Sequence, residues 1–416
     1  MQANNSQTNK RRVVITGIGG ITPLGHDWST ISRAFKDGTC AITSMPDWQR
    51  IEGLVCHMAA PCEFSPPAHY RRRTLRSMGR VAQLAVRSSE LALTQAGYSK
   101  GDDWLSSGQV GVAYGSAQGS VEGMQEFFGL LNDHTTEELK STSYIRAMTH
   151  TAPVNIGVYF GLTGRVLTTT TACTAASQAI GFACEAIQNG QQTMMLAGGA
   201  DELTAIHSAV FDSLLATSKS NESPSTASRP FDKDRDGLVL GEGACTFVLE
   251  ELEHALTRNA TILGEVAGFA TNADGAHITR PQAQTQTQCI DMALANAEIN
   301  ASDIGFVSAH ATATEYGDAA EAEALQQAGM SNTPVASLKG HIGHTLGACG
   351  SIEAWAALMM MNEGWFAPTL NLSEPNCGKL DYVMEGGRNI DTNYVMSNNF
   401  AFGGINTSLV LKRWCE

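Results

Sequence analysis

Residues 168–176 have the sequence Thr-Thr-Thr-Thr-Ala-Cys-Thr-Ala-Ala, and this stretch contains a candidate nucleophile, Cys173. The threonines favour a β-strand because β-branched side chains fit a pleated surface. Small and aliphatic residues then recur at 175, 176, 179, 180, 183 and 187, a spacing typical of a buried helix. We therefore predict that Cys173 lies at a strand-to-helix turn, where the helix N-terminus favours the thiolate. The alternative is an inert buried cysteine.

Three histidines and a lysine follow two short apolar segments farther along the chain. His310 comes after a predicted strand at 306–308, and Lys339, His341 and His344 come after a predicted strand at 335–337. Strand ends of parallel sheets are where α/β proteins build their sites. A lone histidine is more often a structural hydrogen-bonding group. Two such strand ends combined with a cysteine turn predict a nucleophile with acid/base partners.

Short apolar segments alternate with helical periodicity along most of the chain, which is typical of α/β architecture with largely parallel sheets. The apolar pattern restarts near residue 260. We therefore predict two halves, 12–258 with the cysteine and 259–412 with the His/Lys/His segments, after a flexible tail at 1–11. No sequence repeat relates the halves. Further strands are predicted at 13–20, 110–114, 166–170, 193–197, 244–249 and 408–411, and helices at 80–96 and 251–258.

The composition fits a large globular enzyme. The chain has 416 residues, of which 43% are hydrophobic and 16% charged, and its formal net charge is −14. An acidic chain is a poor candidate for binding nucleic acid or an anionic membrane. The ten cysteines show no zinc-ligand spacing, no secretion signal is visible, and no apolar run reaches the roughly 18 residues of a membrane span. We expect a cytoplasmic protein with reduced thiols and without a metal site.

Five segments, in order along the chain, resemble the motifs of the β-ketoacyl-ACP synthases of the type I/II, Cys-His-His class. They are residues 171–173, 229–243, 310–318, 339–350 and 399–406. The similarity extends from Val13 to about Lys412 and is greatest to synthase II and to ketosynthases of aromatic and aryl-polyene pathways. It implies a thiolase-like duplicated fold with five αβαβα layers, usually dimeric. It also implies an acyltransferase that condenses an acyl chain with malonyl-ACP.

The resemblance assigns roles residue by residue. Cys173 accepts the acyl group from the phosphopantetheine of acyl carrier protein, so no separate cofactor is expected. His310 and His344 stabilise the enolate, the backbone N–H groups of Cys173 and Phe402 hold the thioester oxyanion, and Lys339 is expected to pair with Glu321. Thr312 and Thr314 match the threonines that contact pantetheine, and Phe402 matches the gating aromatic between the acyl pocket and the malonyl side. Phe400 and Gln118 match substrate-contacting positions, and Asp318 a supporting one. Asp274, His277 and Thr279 match a second mobile loop, for which an ordinary surface loop is the alternative.

Three positions depart from the family pattern. Ala311 and Ala401 stand where glycines are usual, which reduces the conformations open to the loops around the gating Phe402. Gln118 stands where an aliphatic residue often lines the acyl tunnel, and an unpaired buried amide costs roughly 1–3 kcal/mol. We therefore favour a specialised synthase for a conjugated, polyketide-like or aryl-polyene chain. A housekeeping fatty-acid synthase, with Gln118 bonded across a dimer interface, is the alternative.

The densest basic cluster is Arg71, Arg72 and Arg73, with Arg76 and Arg80 close by. Because carrier proteins are acidic, we predict that carrier protein docks there; a solvated helix start is the alternative. Three other identities fit less well. A primer-starting synthase has Asn where His344 stands, a thiolase has a second catalytic cysteine in another motif, and a chain-length factor lacks the catalytic cysteine. The chain could still be the catalytic half of a heterodimer with such a factor.

Overall fold

The computed structural model describes residues 10–415, and in this range helices and strands alternate around one large mixed sheet. The strands are β1 (Val13–Ile21), β2 (Thr43–Ser44), β3 (Met58–Ala60), β4 (Val110–Gly115), β5 (Val166–Thr169), β6 (Met194–Asp201), β7 (Leu240–Gly241), β8 (Gly243–Glu251), β9 (Gly264–Ala273), β10 (Phe306–Ser308), β11 (Pro334–Ala336), β12 (Trp365–Phe366), β13 (Asp381–Tyr382), β14 (Arg388–Asn389), β15 (Tyr394–Ala401) and β16 (Ile405–Lys412).

The α-helices of the same range run between and across these strands. They are α1 (Trp28–Lys36), α2 (Arg72–Leu75), α3 (Arg80–Gln95), α4 (Val121–Asn132), α5 (Ser143–Ala147), α6 (Thr151–Phe160), α7 (Ala175–Gln188), α8 (Ala205–Ser213), α9 (Pro224–Ala227), α10 (Leu252–Thr257), α11 (Ala283–Ala297), α12 (Glu315–Gln327), α13 (Lys339–Ile342) and α14 (Cys349–Glu363).

The large sheet contains two five-strand sets with the same topology, and β13 extends the second set by one parallel strand beside β11. Its order is β13-β11-β10-β15-β16-β9-β1-β8-β6-β4-β5. In one set β1 and β8 are antiparallel, β8 and β6 antiparallel, β6 and β4 parallel, and β4 and β5 parallel. The series β9, β16, β15, β10 and β11 repeats these directions. The two sets meet through a short β1–β9 pairing. The duplication that the family resemblance implies is therefore confirmed by topology.

The helices complete five layers. α7 and α14 pack against each other between the two strand sets, α3 and α6 cover the outer face of the first set, and α11 and α12 cover the outer face of the second. This is the αβαβα arrangement that the sequence predicted. The predicted boundary at 258/259 falls in the connection between α10 and β9. Most of the predicted tail lies outside the described residues.

Each half delivers one strained turn to the centre of the molecule. A 3-10 turn at Ala172–Thr174 precedes α7, and a second at Leu346–Ala348 precedes α14. Ala172 has φ +51° and Leu346 has φ +50°, conformations that are uncommon for residues with a Cβ atom. Such strain persists only where the surroundings fix the backbone, and it concentrates at functional sites. The two turns therefore mark the place where the site is assembled.

None of the helices formed by residues 10–415 is long and apolar enough to span a bilayer. All ten cysteines are free thiols, and eight of them are buried. This arrangement is compatible with the reduced thiols expected from the sequence.

Candidate active site

A cavity of about 440 Å³ reaches the side chains of Cys173, His310 and His344. Its walls come from both halves of the molecule, including Phe400 and Phe402 at the end of β15 and the loop 274–281. The structure thus brings together three residues that are widely separated in the sequence. The two strained turns place the cysteine and one histidine on opposite sides of the same space.

Cys173 lies in the turn before α7, as predicted, and its Sγ is 2.9 Å from Nε2 of His344. Burial raises the pKa of the Cys173 thiol to about 12, although the ammonium of Lys339 acts in the opposite direction. The direction is opposite to the sequence expectation of a thiolate favoured by the helix N-terminus. Desolvation dominates because the whole side chain is enclosed. Attack by the sulfur therefore requires a base, and His344 is in place to act as one.

His310 is held by an amide. Nδ2 of Asn399 lies 3.3 Å from Nδ1 of His310 and can only donate, so Nδ1 is the acceptor and the proton sits on Nε2. Burial, with the charge of Lys339, lowers the pKa of His310 well below its usual value. The ring lies 5.2 Å from that of His344, centroid to centroid. His310 is therefore a neutral donor aimed into the cavity.

His344 is held by its backbone. Its N–H donates to the carbonyl of Val239 at 2.8 Å, and its carbonyl accepts from N–H of Gly241 at 2.9 Å. Apart from the contact of Nε2 with Cys173, the ring has no hydrogen bond to the described part of the chain, and Nδ1 is buried without a partner. Burial and Lys339 lower the pKa of His344 well below its usual value. The position of this ring therefore depends on the turn that carries it.

Lys339 pairs with Glu353 of α14, and the prediction of a pair with Glu321 is wrong. Both partners are buried. Glu321 instead accepts the backbone N–H groups of His310 at 2.9 Å and Ala311 at 2.7 Å. Burial tends to lower the pKa of Lys339, but Glu353 outweighs it and the net direction is upward. Lys339 therefore stays an ammonium, and Glu321 shapes the loop that carries His310.

Thr312 and Thr314 line the cavity, and their hydroxyl oxygens are 3.0 Å apart. Asp318 accepts N–H of Thr312 at 2.9 Å and N–H of Phe231 at 2.8 Å, and burial raises its pKa to about 6. Arg235 donates to the carbonyl of Thr314 at 3.2 Å. The segment 229–243 thus supports the threonine loop, a role that its motif alone did not reveal.

Phe402 packs on Phe211 of α8, with ring centroids 5.7 Å apart. Ala401 ends β15 without a positive φ, whereas Gly403 and Gly404 have φ +90° and +73°. The turn after the gate is therefore built by the glycines that follow it, and the extra Cβ of Ala401 strains nothing in this conformation. Ala311 likewise has no positive φ.

The loop 274–281 is tied to this gate. N–H of Asp274 donates to the carbonyl of Gly404 at 2.7 Å, and N–H of Gly403 donates to the carbonyl of Ile278 at 2.7 Å. His277 accepts N–H of Thr279 at 3.1 Å through Nδ1. Asp274 and His277 therefore lie in a loop at the cavity rim, and their part in the reaction stays a prediction.

Gln118 does not line the cavity in the described chain, and its amide is not unpaired. Its Nε2 contacts Nε2 of His207 on α8. Both premises of the sequence argument, an amide facing the acyl chain and an amide without a partner, are therefore wrong. The alternative, a bond of Gln118 across a dimer interface, stays a prediction.

Arg71, Arg72 and Arg73 are exposed at the start of α2 and form no ion pair within residues 10–415. Arg80 differs from them: it forms two 2.7 Å hydrogen bonds to the carboxylate of Glu242. Arg80 is therefore part of the internal structure and not of the basic cluster.

Two groups of side chains have the donor atoms for a soft divalent metal. In each group the ligand atoms lie within 4.8 Å of one another: Cys173, His310 and His344, and His310, Cys349 and Glu353. The raised pKa of the Cys173 thiol opposes metal binding, since thiolate is the ligating form.

Sequence reasoning missed Glu353 and Asn399 as site residues. Glu353 is the one charged residue in the buried stretch 349–358 of α14, and a buried carboxylate requires a partner. That pattern was visible in the sequence. Asn399 lies in the motif segment 399–406, yet only the structure shows its amide between Glu353, at 2.7 Å, and His310.

Comparison with known proteins agrees with this geometry. The family described as "Beta-ketoacyl synthase, N-terminal domain" matches residues 10–255, and "Beta-ketoacyl synthase, C-terminal domain" matches residues 263–373. The chain is 32% identical to 3-oxoacyl-[acyl-carrier-protein] synthase 2 of Vibrio harveyi, covering 98% of this chain and 100% of the relative.

Two solved structures share the fold. A β-ketoacyl synthase from Burkholderia phymatum STM815 is 50% identical with a TM-score of 0.96, covering 97% of this chain and 100% of that one. A type II polyketide ketosynthase, solved with its acyl-carrier protein, is 27% identical with a TM-score of 0.89, again over 97% and 100%. The chain therefore belongs to the β-ketoacyl synthase family, the acyltransferases that condense acyl groups.

Proposed function

We propose that this protein transfers an acyl group from acyl carrier protein to Cys173 and condenses it with malonyl-ACP. The observation that carries the proposal is the cavity in which the Cys173 sulfur faces two neutral histidines. The substrates arrive on phosphopantetheine, so the proposed reaction uses no cofactor bound by the protein itself. The free thiols are consistent with a cytoplasmic location.

The first half-reaction is thioester exchange. The Cys173 sulfur attacks the acyl carbonyl carbon, the C–S bond to pantetheine breaks, and the thiol proton passes to the departing sulfur. His344 Nε2, at 2.9 Å, is the base that carries this proton. We assign the developing oxyanion to the backbone N–H groups of Cys173 and Phe402, because preorganised donors stabilise such charge.

The second half-reaction starts when malonyl-ACP loses CO₂ as its C–C bond breaks, leaving an enolate on the thioester. His310 Nε2–H and His344 Nε2–H are the proposed donors to the enolate oxygen; His344 adopts the Nε2–H tautomer in this step, because the acylated sulfur no longer offers a proton to Nε2. The nucleophilic carbon then attacks the Cys173 thioester, the C–S bond breaks, and the thiolate takes up one proton from water, which regenerates the Cys173 thiol. Lys339 supports both steps because its charge keeps the two histidines neutral, so that they donate hydrogen bonds without being ionised.

The test separates the half-reactions. His310→Ala and His344→Ala should still form measurable acyl-enzyme, more slowly in His344→Ala because that variant lacks the base, while malonyl-ACP decarboxylation falls by about a hundredfold or more in both, the usual cost of losing one such donor. Acylation is followed by intact mass and decarboxylation by CO₂ release. His341→Ala is a matched control, because the side chain of His341 bonds only to the carbonyls of Thr39 and Pro368. Retained condensation in both catalytic variants would refute the assignment.

We propose that carrier protein docks on Arg71, Arg72 and Arg73. Their exposure and lack of internal ion pairs support this, since an acidic partner can use their charge. Charge reversal at Arg72 and Arg73 should raise KM for acyl-ACP and weaken its salt dependence, but spare a small pantetheine thioester. Reversal of Arg33, exposed on α1, is the control. An equal loss of activity with both substrates would show that the arginine cluster has a structural role.

We also propose a dimer, with an identical partner or a chain-length-factor-like subunit. β5 is the edge of the large sheet, and Val166 on it is half-exposed. Val158, on the neighbouring α6, is 77% exposed. An apolar sheet edge of this kind is usually covered. Sedimentation with and without co-expressed partner subunits distinguishes a homodimer, a heterodimer and a monomer; a stable monomer contradicts the proposal.

A conjugated or polyketide-like acyl chain, such as an aryl polyene intermediate, is the substrate class that we propose. The Gln118–His207 pair borders an apolar cluster formed by Ala117, Phe211 and Phe402 beside the cavity. A polarisable chain loses less binding free energy than a saturated chain when it lies against such a polar border. Competition between polyenoyl-ACP and saturated acyl-ACP of equal length tests this proposal. A tenfold preference for the saturated chain in kcat/KM would instead assign a fatty-acid-elongating synthase II.

A further inference from the structure

Asp201, at the end of β6, is a buried carboxyl group that the proposed reaction does not use. Its Oδ2 accepts N–H of Gly347 at 2.6 Å and N–H of Ala117 at 2.9 Å. Its Oδ1 lies 2.8 Å from Oγ of Ser116. Asp201 therefore joins two loops that flank Cys173: the loop after β4 and the turn after His344.

The hydrogen-bond inventory indicates which atom carries a proton. Oγ of Ser116 has one hydrogen, and it contacts both the carbonyl of Gln118 and Oδ1 of Asp201. A carbonyl and an ionised carboxylate both only accept, so one hydroxyl hydrogen cannot serve both contacts, and we assign it to the carbonyl of Gln118. The contact between the two oxygens is then a hydrogen bond only if Oδ1 of Asp201 carries a proton. A protonated Asp201 satisfies every partner, with Oδ2 accepting both backbone N–H groups.

The turn that Asp201 holds is the one that fixes His344. Leu346 in this turn has φ +50°, and N–H of Gly347 is the group that Asp201 accepts. The His344 ring has no described hydrogen bond except the contact with Cys173. Because no other hydrogen bond orients the ring, the distance between Nε2 and Sγ depends on this turn keeping its strained shape.

We propose that Asp201 is a positioning residue, a neutral carboxylic acid that anchors the His344 turn against Cys173. The proposal rests on the proposed function of that pair. A neutral acid suits the place, because the reaction creates negative charge at the sulfur and at the enolate. An ionised carboxylate there would anchor the turn equally well but would oppose both charges.

The surroundings support the neutral form. Burial raises the pKa of Asp201 to about 7, although its hydrogen bonds act in the opposite direction. No cation forms an ion pair with it in the described chain. The titratable groups that face it or adjoin its elements are Glu202, Glu242, Cys173, Cys349, His344 and His207. None of them supplies a compensating positive charge, since burial lowers the pKa of both histidines. The ammonium of Lys339, which acts on the same two cysteines, is paired with Glu353.

The test compares Asp201→Asn with Asp201→Ala. Asparagine copies the neutral acid, because its amide donates to Ser116 and its oxygen accepts the two N–H groups. We expect Asp201→Asn to keep kcat within about threefold at pH 6.5, whereas Asp201→Ala loses roughly tenfold or more because two buried N–H groups lose their acceptor. The KM for acyl-ACP stays unchanged in both. Glu202→Gln is the matched control, since Glu202 accepts N–H of Val121 and does not touch the turn.

Two pH measurements complete the test. As pH rises from 6.5 to 8.5, the ratio of Asp201→Asn activity to wild-type activity should increase. The pKa of Asp201 in the folded protein is raised above its ordinary value. The stability that the neutral acid contributes to wild type therefore falls as pH rises from about 4 to about 7, and it falls no further above pH 7. The Tm of Asp201→Asn relative to wild type should therefore increase across that window and then level off.

The proposal would be overturned if Asp201→Asn were as damaging as Asp201→Ala. It would also be overturned if the Tm difference between Asp201→Asn and wild type did not depend on pH. Full activity in Asp201→Ala would overturn it as well. The Tm measurement needs no substrate, so it decides the protonation state even if wild type fails to condense acyl-ACP with malonyl-ACP. That failure would count against the proposed function alone.

Discussion

Replacing Glu353 by Gln should be among the most damaging single changes in this protein. The substitution keeps an acceptor for Asn399 but removes the charge that faces Lys339. The ammonium is fully enclosed, and Glu321 is occupied by two backbone N–H groups. Breaking one partner of a buried ion pair typically costs 3–5 kcal/mol because the other charge is left uncompensated.

An upper limit follows from the lysine itself. An ordinary lysine has a pKa of 10.5, so losing its proton at pH 7.5 costs about 4 kcal/mol at about 1.4 kcal/mol per pH unit. We therefore expect Glu353→Gln to lower the free energy of unfolding by about 3–4 kcal/mol, a large part of the roughly 5–15 kcal/mol of a typical domain. Activity should fall too, because a Lys339 side chain that loses its proton no longer keeps His310 and His344 neutral.

The assay is a double-mutant cycle by urea unfolding at pH 7.5. Lys339→Met combined with Glu353→Gln should recover about 2 kcal/mol or more of the summed losses, because no uncompensated charge remains. The same lysine substitution combined with Glu321→Gln should show less than about 1 kcal/mol of coupling. Larger coupling to Glu321 than to Glu353 would refute the pairing of Lys339 with Glu353.

Three further outcomes are expected. Alkylation of Cys173 by iodoacetamide should accelerate with pH through pH 9, because its pKa is raised to about 12; a plateau near pH 7 would show a thiolate. Gly115→Ala should destabilise the protein by roughly 1–3 kcal/mol in urea unfolding, because a Cβ there would lie 2.4 Å from the carbonyl carbon of Ala175; an unchanged midpoint would contradict this packing. Asn399→Ala should slow decarboxylation by roughly tenfold or more while acyl-enzyme still forms, because His310 loses the donor that fixes its tautomer; equal loss of both steps would mean a structural role.

Much of the fold could be predicted from the sequence, because the local pattern of apolar residues coincides with the observed strands and helices. The strand predicted at 306–308 is β10, the strand at 110–114 is β4 without its last residue, and the helix at 80–96 is α3 within one residue. The duplication left no sequence repeat, because the two halves share strand directions and not residues. Only the topology could show it.

The site could be predicted as a set of residues but not as a network. The motifs identified Cys173, His310, His344 and Lys339, since each follows a strand end. The partner of Lys339 was assigned wrongly because Glu321 and Glu353 are both near in sequence, and only the packing of α14 against β15 decides between them. The prediction for Gln118 failed because its partner His207 lies 89 residues away, and only the fold brings the two side chains together.

The central claim is that Cys173 carries the acyl group, and peptide mapping of the acylated protein tests it most directly. The protein is incubated with acyl-ACP, digested and analysed by mass spectrometry, with Cys173→Ala as the control. The informative competitor is Cys349, whose Sγ lies 3.2 Å from the carbonyl oxygen of Cys173 but whose burial raises its pKa well above the usual value. We predict the acyl mass on the peptide containing Cys173 and no acylation of the Cys173→Ala variant. Acylation of Cys349 or of any other cysteine in wild type would contradict the account.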